Sequence, residues 1–156
     1  MGSLLSYFLK ETDVISFAKE ELNEVFENLS KSGSVKQSPN GFTFLDVDDK
    51  FVTEGVKVLK KHGFDAPPYF GGGLVGAHIT IMDELEAKNV ETKDILETEV
   101  AFRITGFNIV KPRGLWGERE LFLAIVEAAI LDSIREEAGL AQKQHPFHIT
   151  IGTRYK

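Results

Sequence analysis

The chain of 156 residues contains no cysteine, and this absence limits the chemistry available to it. Without thiols there are no disulfides, no thiolate metal ligands and no cysteine nucleophile. A chain of this kind fits a reducing compartment.

The chain also lacks a long apolar run and an excess of positive charge. No uncharged segment approaches the roughly 20 residues of a membrane-spanning helix, and no secretory signal follows Met1. We therefore expect a cytoplasmic protein without a membrane partner. The net charge is −6, whereas proteins that hold extended duplexes by neutralising phosphates carry basic surfaces. Extended duplex binding is not expected, but a cleft for one phosphate remains compatible with this charge.

What the chain does contain is enough apolar material for a core, with 42% hydrophobic residues and twelve phenylalanines. Its length fits a single domain over residues 1–156. Hydrophobic periodicity, caps and turn residues predict three helices and five strands. The predicted helices cover residues 11–30, about 49–62 and 128–138, and the predicted strands cover 42–47, 74–82, 100–110, 120–126 and 145–155. Because helices and strands do not alternate regularly, this order predicts an α+β fold with a mainly antiparallel arrangement.

Two of the four histidines lie in an identical tetrapeptide, His-Ile-Thr-Ile, at residues 78–81 and 148–151. Each copy falls in a predicted strand, where residues two apart point to the same face. The histidine and threonine of each copy therefore share one face, and the isoleucines pack the opposite face onto a core. If the two strands lie side by side or across a cleft, two imidazoles and two hydroxyls converge.

This set of side chains suits a phosphodiester. A neutral imidazole takes a proton from water or a ribose hydroxyl, and an imidazolium donates one to the leaving oxygen, near neutral pH. A threonine hydroxyl donates a hydrogen bond to a non-bridging phosphate oxygen. We therefore predict His78 and His148 as catalytic residues and Thr80 and Thr150 as phosphate-binding residues, with no metal and no cofactor.

The flanking residues of both motifs resemble the two-histidine (2H) phosphoesterase superfamily, in its RNA-ligase-like and cyclic phosphodiesterase group. The resemblance rests on residues 76–81 (GAHITI) and 146–152 (PFHITIG), and it covers about residues 42–155. It departs from many members in having Phe147 between the proline and the second histidine. A helix at residues 11–30 lies outside this core.

The resemblance implies a single bilobal domain. It implies two mainly antiparallel sheets related by a pseudo-twofold axis around a central groove, with helices outside. It also implies metal-independent cleavage of a 2′,3′-cyclic phosphate or a related phosphodiester, with a nucleotide or an RNA end as substrate.

Two further functions stay open beside this leading hypothesis. One is a phosphodiesterase for 2′–5′ oligoadenylate or cyclic oligonucleotides, and the other is a non-catalytic module that binds nucleotides or RNA ends. The motifs assign neither the acid and the base among the two histidines nor an oligomeric state.

Several side chains near the motifs are candidates for substrate contact. Aromatic rings stack on bases, and each such contact is worth about 1–3 kcal/mol. A cation four residues past Thr150 shares its face if the strand stays regular. The candidates are Tyr69, Phe70, Trp116, Arg154 and Tyr155.

Other polar residues have simpler explanations. His62 is expected at a helix end, and His145, three residues before His148, is expected on the opposite face of the strand as a structural residue. Asp46, Asp48 and Asp49 lack the remaining ligands of a calcium loop, so helix capping explains them better.

Overall fold

The computed structural model describes residues 2–70, 75–112 and 119–155. The helices are α1 (Gly2–Phe26), α2 (Lys50–Thr53), α3 (Gly55–Leu59), α4 (Glu84–Ala87) and α5 (Ala129–Glu137), and a 3₁₀ turn follows α3 at Lys60–His62. The strands are β1 (Ser32–Gln37), β2 (Thr43–Asp46), β3 (His78–Met82), β4 (Glu99–Ala101), β5 (Arg103–Val110), β6 (Arg119–Glu127) and β7 (Phe147–Tyr155). None of the described helices combines the length and the apolar composition needed to cross a bilayer.

All seven described strands form one sheet in the order β4-β1-β2-β3-β7-β6-β5, and every pairing is antiparallel. The sheet curls into a half-barrel. The predicted α+β class with antiparallel strands is therefore confirmed. The prediction of two sheets is not met, because β3 pairs directly with β7 and joins the two halves edge to edge. The division into two lobes and the pseudo-twofold axis remain predictions.

The core lies between the sheet and the helices. Helix α1 packs on α3 and β5, α2 and α3 pack on β7, and α5 packs on β3. Along α1 the buried residues recur every fourth position, at Val14, Ala18, Leu22 and Phe26, which forms one stripe along the helix. The ring of Phe26 meets that of Phe51 edge to face at 5.1 Å. The N-terminal helix thus contributes to the hydrophobic core, although it lies outside the segment that resembles the family.

The structure differs from the predicted elements at several places, of which the following three change the fold most. Strand β1 lies between the helix predicted at 11–30 and the strand predicted at 42–47, in a segment rich in serine and glycine where no element is predicted. Gly33 is needed there, since a Cβ would lie 2.1 Å from the carbonyl oxygen of Asp46 on the neighbouring strand. The single strand predicted at 100–110 is divided between β4 and β5, which lie at opposite edges of the sheet. Helix α1 begins at residue 2 instead of 11.

Candidate active site

The pairing of β3 with β7 brings the two His-Ile-Thr motifs together at the middle of the sheet. Ile79 pairs with Ile149, and both side chains are fully buried in the core. Continuing this antiparallel register places His78 opposite Thr150 and Thr80 opposite His148. Side chains directly opposite each other have Cβ atoms about 5 Å apart, and diagonal neighbours such as the two histidines about 7–8 Å. Four half-buried polar side chains therefore share one small area of the sheet, called the site face below.

In both motif strands the pairing register with the neighbouring strand shifts by one residue directly after the threonine. Thr80 pairs with Phe44 on β2 while Met82 pairs with Thr43, and Thr150 pairs with Leu123 on β6 while Gly152 pairs with Phe122. The isoleucine that follows each threonine is the extra residue of a β-bulge, and both of these isoleucines are fully buried. The two motifs thus share the same local backbone irregularity.

Each motif histidine is oriented by a carbonyl two residues before it. Nδ1 of His78 donates to the carbonyl oxygen of Gly76 at 2.8 Å, and Nδ1 of His148 donates to that of Pro146 at 3.0 Å. A carbonyl only accepts, so the proton of the neutral ring lies on Nδ1. Nε2 of each ring is left to accept a proton as a base, or to donate one when the ring is charged.

Burial is the largest influence on both imidazoles, and it lowers the pKa of His78 and of His148 below the usual histidine value. For His78, the hydrogen bond to Gly76 and the charge of Asp46 oppose this effect. For His148, the bond to Pro146 opposes it, while Lys143, His78 and His145 add to it. The neutral form is therefore favoured at both positions.

Three aromatic rings surround His78. The ring centroids of Phe42, Phe44 and Tyr69 lie 5.6, 5.8 and 5.3 Å from that of the imidazole. Tyr69 also shares a side-chain hydrogen bond with Thr150, so it contacts both motifs. Burial raises the pKa of Tyr69 to about 12, although the bond to Thr150 acts in the opposite direction. Tyr69 therefore remains a neutral phenol at physiological pH.

A groove of about 660 Å³ adjoins His148 on the side away from His78. Strands β5 and β6 supply aliphatic side chains to it, and the segment before β7 supplies Pro146 and His145. This volume lies within the range of small-molecule sites. The described lining residues are Asn108, Val110, Lys111, Pro112, Leu121, Leu123, Ile125, His145, Pro146 and His148.

Asp49 holds the backbone that leads into the first motif. Its Oδ1 accepts a hydrogen bond from the amide of Ala77 at 3.0 Å. A Cβ on Gly76 would lie 2.1 Å from that same oxygen, so the close approach requires glycine. Since the carbonyl of Gly76 orients His78, Asp49 is a positioning residue for the first imidazole.

Arg135 of α5 links the segments that carry the two motifs. Its Nη1 donates to the carbonyl of Ile81 at 2.8 Å, directly after the first motif, and its Nη2 donates to that of Ala141 at 2.7 Å, on the way to the second. Its guanidinium also forms a bidentate ion pair with the carboxylate of Glu86, with N···O distances of 3.0 and 2.6 Å. The side chain of Arg135 is buried, and its hydrogen bonds hold the two motif segments and Glu86 in place, so the role of Arg135 is structural.

Arg154 does not lie on the site face, contrary to the prediction. The bulge after Thr150 inverts the alternation of β7, so Arg154 pairs with Glu120 and points to the same side as Phe122. Its Nε donates to Glu120 at 2.9 Å, its Nη1 donates to the carbonyl of His62 at 2.8 Å, and its guanidinium stacks on Phe64 at 4.3 Å. The prediction assumed a regular strand.

The other candidate contacts have different positions. Phe70 is partly buried against the core. Tyr155 is exposed at the end of β7, where it bonds to Arg119 and stacks under that guanidinium at 4.6 Å. Five residues of strand separate Tyr155 from Thr150, about 16 Å. Trp116 lies outside the described residues.

The structure also changes the explanations given above for His145 and for Asp46 and Asp49. Residue 145 precedes β7, and His145 lines the groove beside His148 instead of facing away from it. Asp48 does act at the start of α2, where Oδ1 accepts from the amide of Lys50 at 2.9 Å, but Asp49 makes no such cap and holds Ala77 instead. Asp46 pairs across the strands with His78. Strand pairing brings Asp46 to the first motif, and the turn after β2 brings Asp49 there. Neither contact can be predicted from the spacing of residues in the sequence.

The described residues contain no group of three or more histidines and carboxylates placed to hold a metal ion. The site face carries two imidazoles and two threonine hydroxyls on neighbouring strands. That donor set is suited to proton transfer and to hydrogen bonding of an anion.

Comparison with known protein families gives a match over most of the chain. A family model described as "Swiss Army Knife, 2H phosphoesterase domain" matches residues 43–156, which include both motifs and all of the described strands except β1. The chain therefore belongs to the 2H phosphoesterase family, a family of hydrolases acting on phosphate esters. No curated protein and no solved structure matches the chain.

Proposed function

We propose that this chain is a metal-independent phosphodiesterase that hydrolyses a 2′,3′-cyclic phosphate, or a related phosphodiester, of a nucleotide or RNA end. The observation that carries the proposal is the pairing of Ile79 with Ile149 in a family of phosphoesterases. This pairing sets each imidazole opposite the threonine of the other motif. The carbonyls of Gly76 and Pro146 give both rings the same tautomer.

In the proposed reaction the phosphate lies between the two motifs. One neutral imidazole removes a proton from the attacking water through Nε2, and the other, as imidazolium, protonates the leaving ribose oxygen. Thr80 and Thr150 donate hydrogen bonds to the non-bridging oxygens, where charge accumulates. Tyr69, a neutral phenol bonded to Thr150, supports the orientation of that hydroxyl.

The supporting features also suit a nucleotide. The rings of Phe42, Phe44 and Tyr69 supply aromatic surface beside His78, and aromatic surfaces hold nucleobases by stacking. The groove beside His148 has room for the remainder of the substrate. Direct contact of Phe70, Trp116 and Tyr155 with substrate remains a prediction.

Product analysis tests the proposal. Purified protein is incubated with 2′,3′-cyclic AMP and, separately, with 2′–5′-linked triadenylate, with and without EDTA. We expect a nucleoside monophosphate from the cyclic substrate, at the same rate with EDTA. The matched control is His62→Gln, which replaces a histidine in the 3₁₀ turn after α3 and should keep full activity. Absence of turnover on the cyclic phosphate, or loss of activity with EDTA, would contradict the proposal, and selective cleavage of triadenylate would move the activity to 2′–5′ linkages.

A further inference from the structure

The two motifs match in backbone but differ in what lies across the neighbouring strand. On β2, Asp46 is the direct partner of His78, whereas on β6 the partner of His148 is Ile125. Residues paired in this way place their side chains on the same face, with Cβ atoms about 5 Å apart. A carboxylate therefore stands beside one imidazole, and an aliphatic side chain takes the equivalent place beside the other.

The remaining charged groups near His78 leave Asp46 as its main electrostatic partner. Asp49, from the turn after β2, is bonded to the amide of Ala77. Lys36 of β1 and Glu97 form an ion pair at 2.8 Å, so their charges largely offset each other. Desolvation of the Asp46 carboxylate and the nearby Asp49 raise its pKa, while Lys36 and His78 lower it.

Around His148 the charges have the opposite sign. Lys143 and His145 precede β7, and both lower the pKa of His148, as does His78. The carboxylate of Glu127, two residues beyond Ile125 on β6, is paired with Arg103 at 2.9 Å. Burial lowers and the backbone hydrogen bond raises the pKa of both rings, whereas the neighbouring charges act in opposite directions: Asp46 raises the pKa of His78, and Lys143, His78 and His145 lower that of His148.

We propose that Asp46 assigns the two catalytic roles: the carboxylate beside His78 makes this ring the one that acts as the acid, and His148, with Ile125 in the equivalent place, acts as the neutral base. This inference rests on the proposed phosphodiesterase function. Asp46 is a positioning residue, because it acts on the charge of His78 and does not touch the reacting atoms.

The assignment gives a balanced reaction step. Nε2 of His148 takes a proton from water, and the water oxygen forms a bond to phosphorus. The bond between phosphorus and the leaving oxygen breaks with its electron pair, and Nε2 of His78 gives its proton to that oxygen. His148 ends charged and His78 neutral, so one proton passes to solvent and another returns before the next turnover.

The assignment also orients the substrate. In an in-line displacement the attacking and leaving oxygens lie on opposite sides of phosphorus. The leaving alcohol therefore lies on the side of His78 and its aromatic neighbours Phe42 and Tyr69. Water enters from the side of His148, where the groove opens.

Imidazole titration by NMR tests the assignment without needing any turnover. We expect His78 to lose its proton at a higher pH than His148. Asp46→Asn should lower the pKa of His78, and Ile125→Asp should raise that of His148. The matched control is Glu99→Gln, which removes one exposed carboxylate from β4, where it accepts from Ser34 at 2.9 Å. It should shift neither histidine. A higher pKa at His148, or no change at His78 in Asp46→Asn, would overturn the inference.

Leaving-group dependence supplies a second readout. An aryl leaving group such as p-nitrophenolate departs without a proton, whereas a ribose oxygen needs one. His78→Ala should therefore lose about 10²–10⁴-fold on 2′,3′-cyclic AMP but less than about tenfold on a nucleoside p-nitrophenyl phosphodiester. His148→Ala should lose heavily on both. The reverse pattern would overturn the role assignment but not the proposed function. A wild-type protein that is inactive on both esters would contradict the proposed function, and the NMR titration of the two histidines would then still test the effect of Asp46.

Discussion

The ion pair between Arg135 and Glu86 should make a large, pH-dependent contribution to stability, and Glu86→Gln tests it. The hydrogen bonds from Arg135 hold the pKa of Glu86 at about 2, against an ordinary value of 4.5, despite partial burial of the carboxylate. That difference corresponds to about 3 kcal/mol of folding free energy at neutral pH. Small domains are stable by about 5–15 kcal/mol in total, so the loss is easily measured.

The direction with pH follows from the lowered pKa. The contribution is fully present above the unfolded value of 4.5 and is lost as the pH falls toward about 2. Urea unfolding followed by circular dichroism should give a gap of about 3 kcal/mol between wild type and Glu86→Gln at pH 7. By about pH 3 the gap should fall to less than half of this.

The control for this experiment is Glu84→Gln, which removes an exposed carboxylate from the same short helix. It should change the free energy of unfolding by no more than about 0.5 kcal/mol. A gap between wild type and Glu86→Gln that stays constant from pH 7 to pH 3 would refute the reasoning, because it would show that the charge of Glu86 is not what Arg135 stabilises.

Four further predictions concern the site. Gly76→Ala should displace the carboxylate of Asp49, lowering kcat about tenfold while costing about 1 kcal/mol of stability, as measured by steady-state kinetics and urea unfolding. Thr80→Val and Thr150→Val should each lower kcat about 10²–10³-fold with little change in thermal midpoint, and an unchanged kcat would exclude a role in phosphate binding. Tyr69→Phe keeps the ring but loses the hydroxyl, so kcat should fall about tenfold or less; a loss as large as that of the threonine variants would assign the phenol a direct role. Because burial lowers the pKa of both motif histidines, the acid limb of kcat/KM against pH should lie below the usual histidine range, and a limb above it would contradict the burial of these rings.

The four motif residues could be predicted from sequence because strand alternation is a local property. A repeated His-Ile-Thr-Ile in two apolar strands specifies which side chains share a face, whatever the tertiary structure. The burial of Ile79 and Ile149 and the half-exposure of the histidines and threonines follow that pattern. The sequence did not specify that β3 and β7 are direct neighbours in one sheet, since pairing depends on the whole chain.

The bulges explain where local reasoning failed. Arg154 was expected on the site face because a regular strand would place it there, and one extra residue at Ile151 reversed its direction. Asp46 and Asp49 were explained by helix capping because their partners, His78 and Ala77, lie about 30 residues away in sequence and are reached only through strand pairing and the following turn. Register and bulges are products of tertiary packing, so neither position was accessible from spacing alone.

A double-mutant cycle on the two motif histidines tests most directly whether the motifs form one active site. The values of kcat/KM for 2′,3′-cyclic AMP are measured for wild type, His78→Ala, His148→Ala and the double variant, with circular dichroism to confirm folding. Residues that act together in one step are strongly non-additive. We predict that the double variant is no slower than the slower single variant. Losses that multiply, or a single variant with full activity, would contradict a shared site.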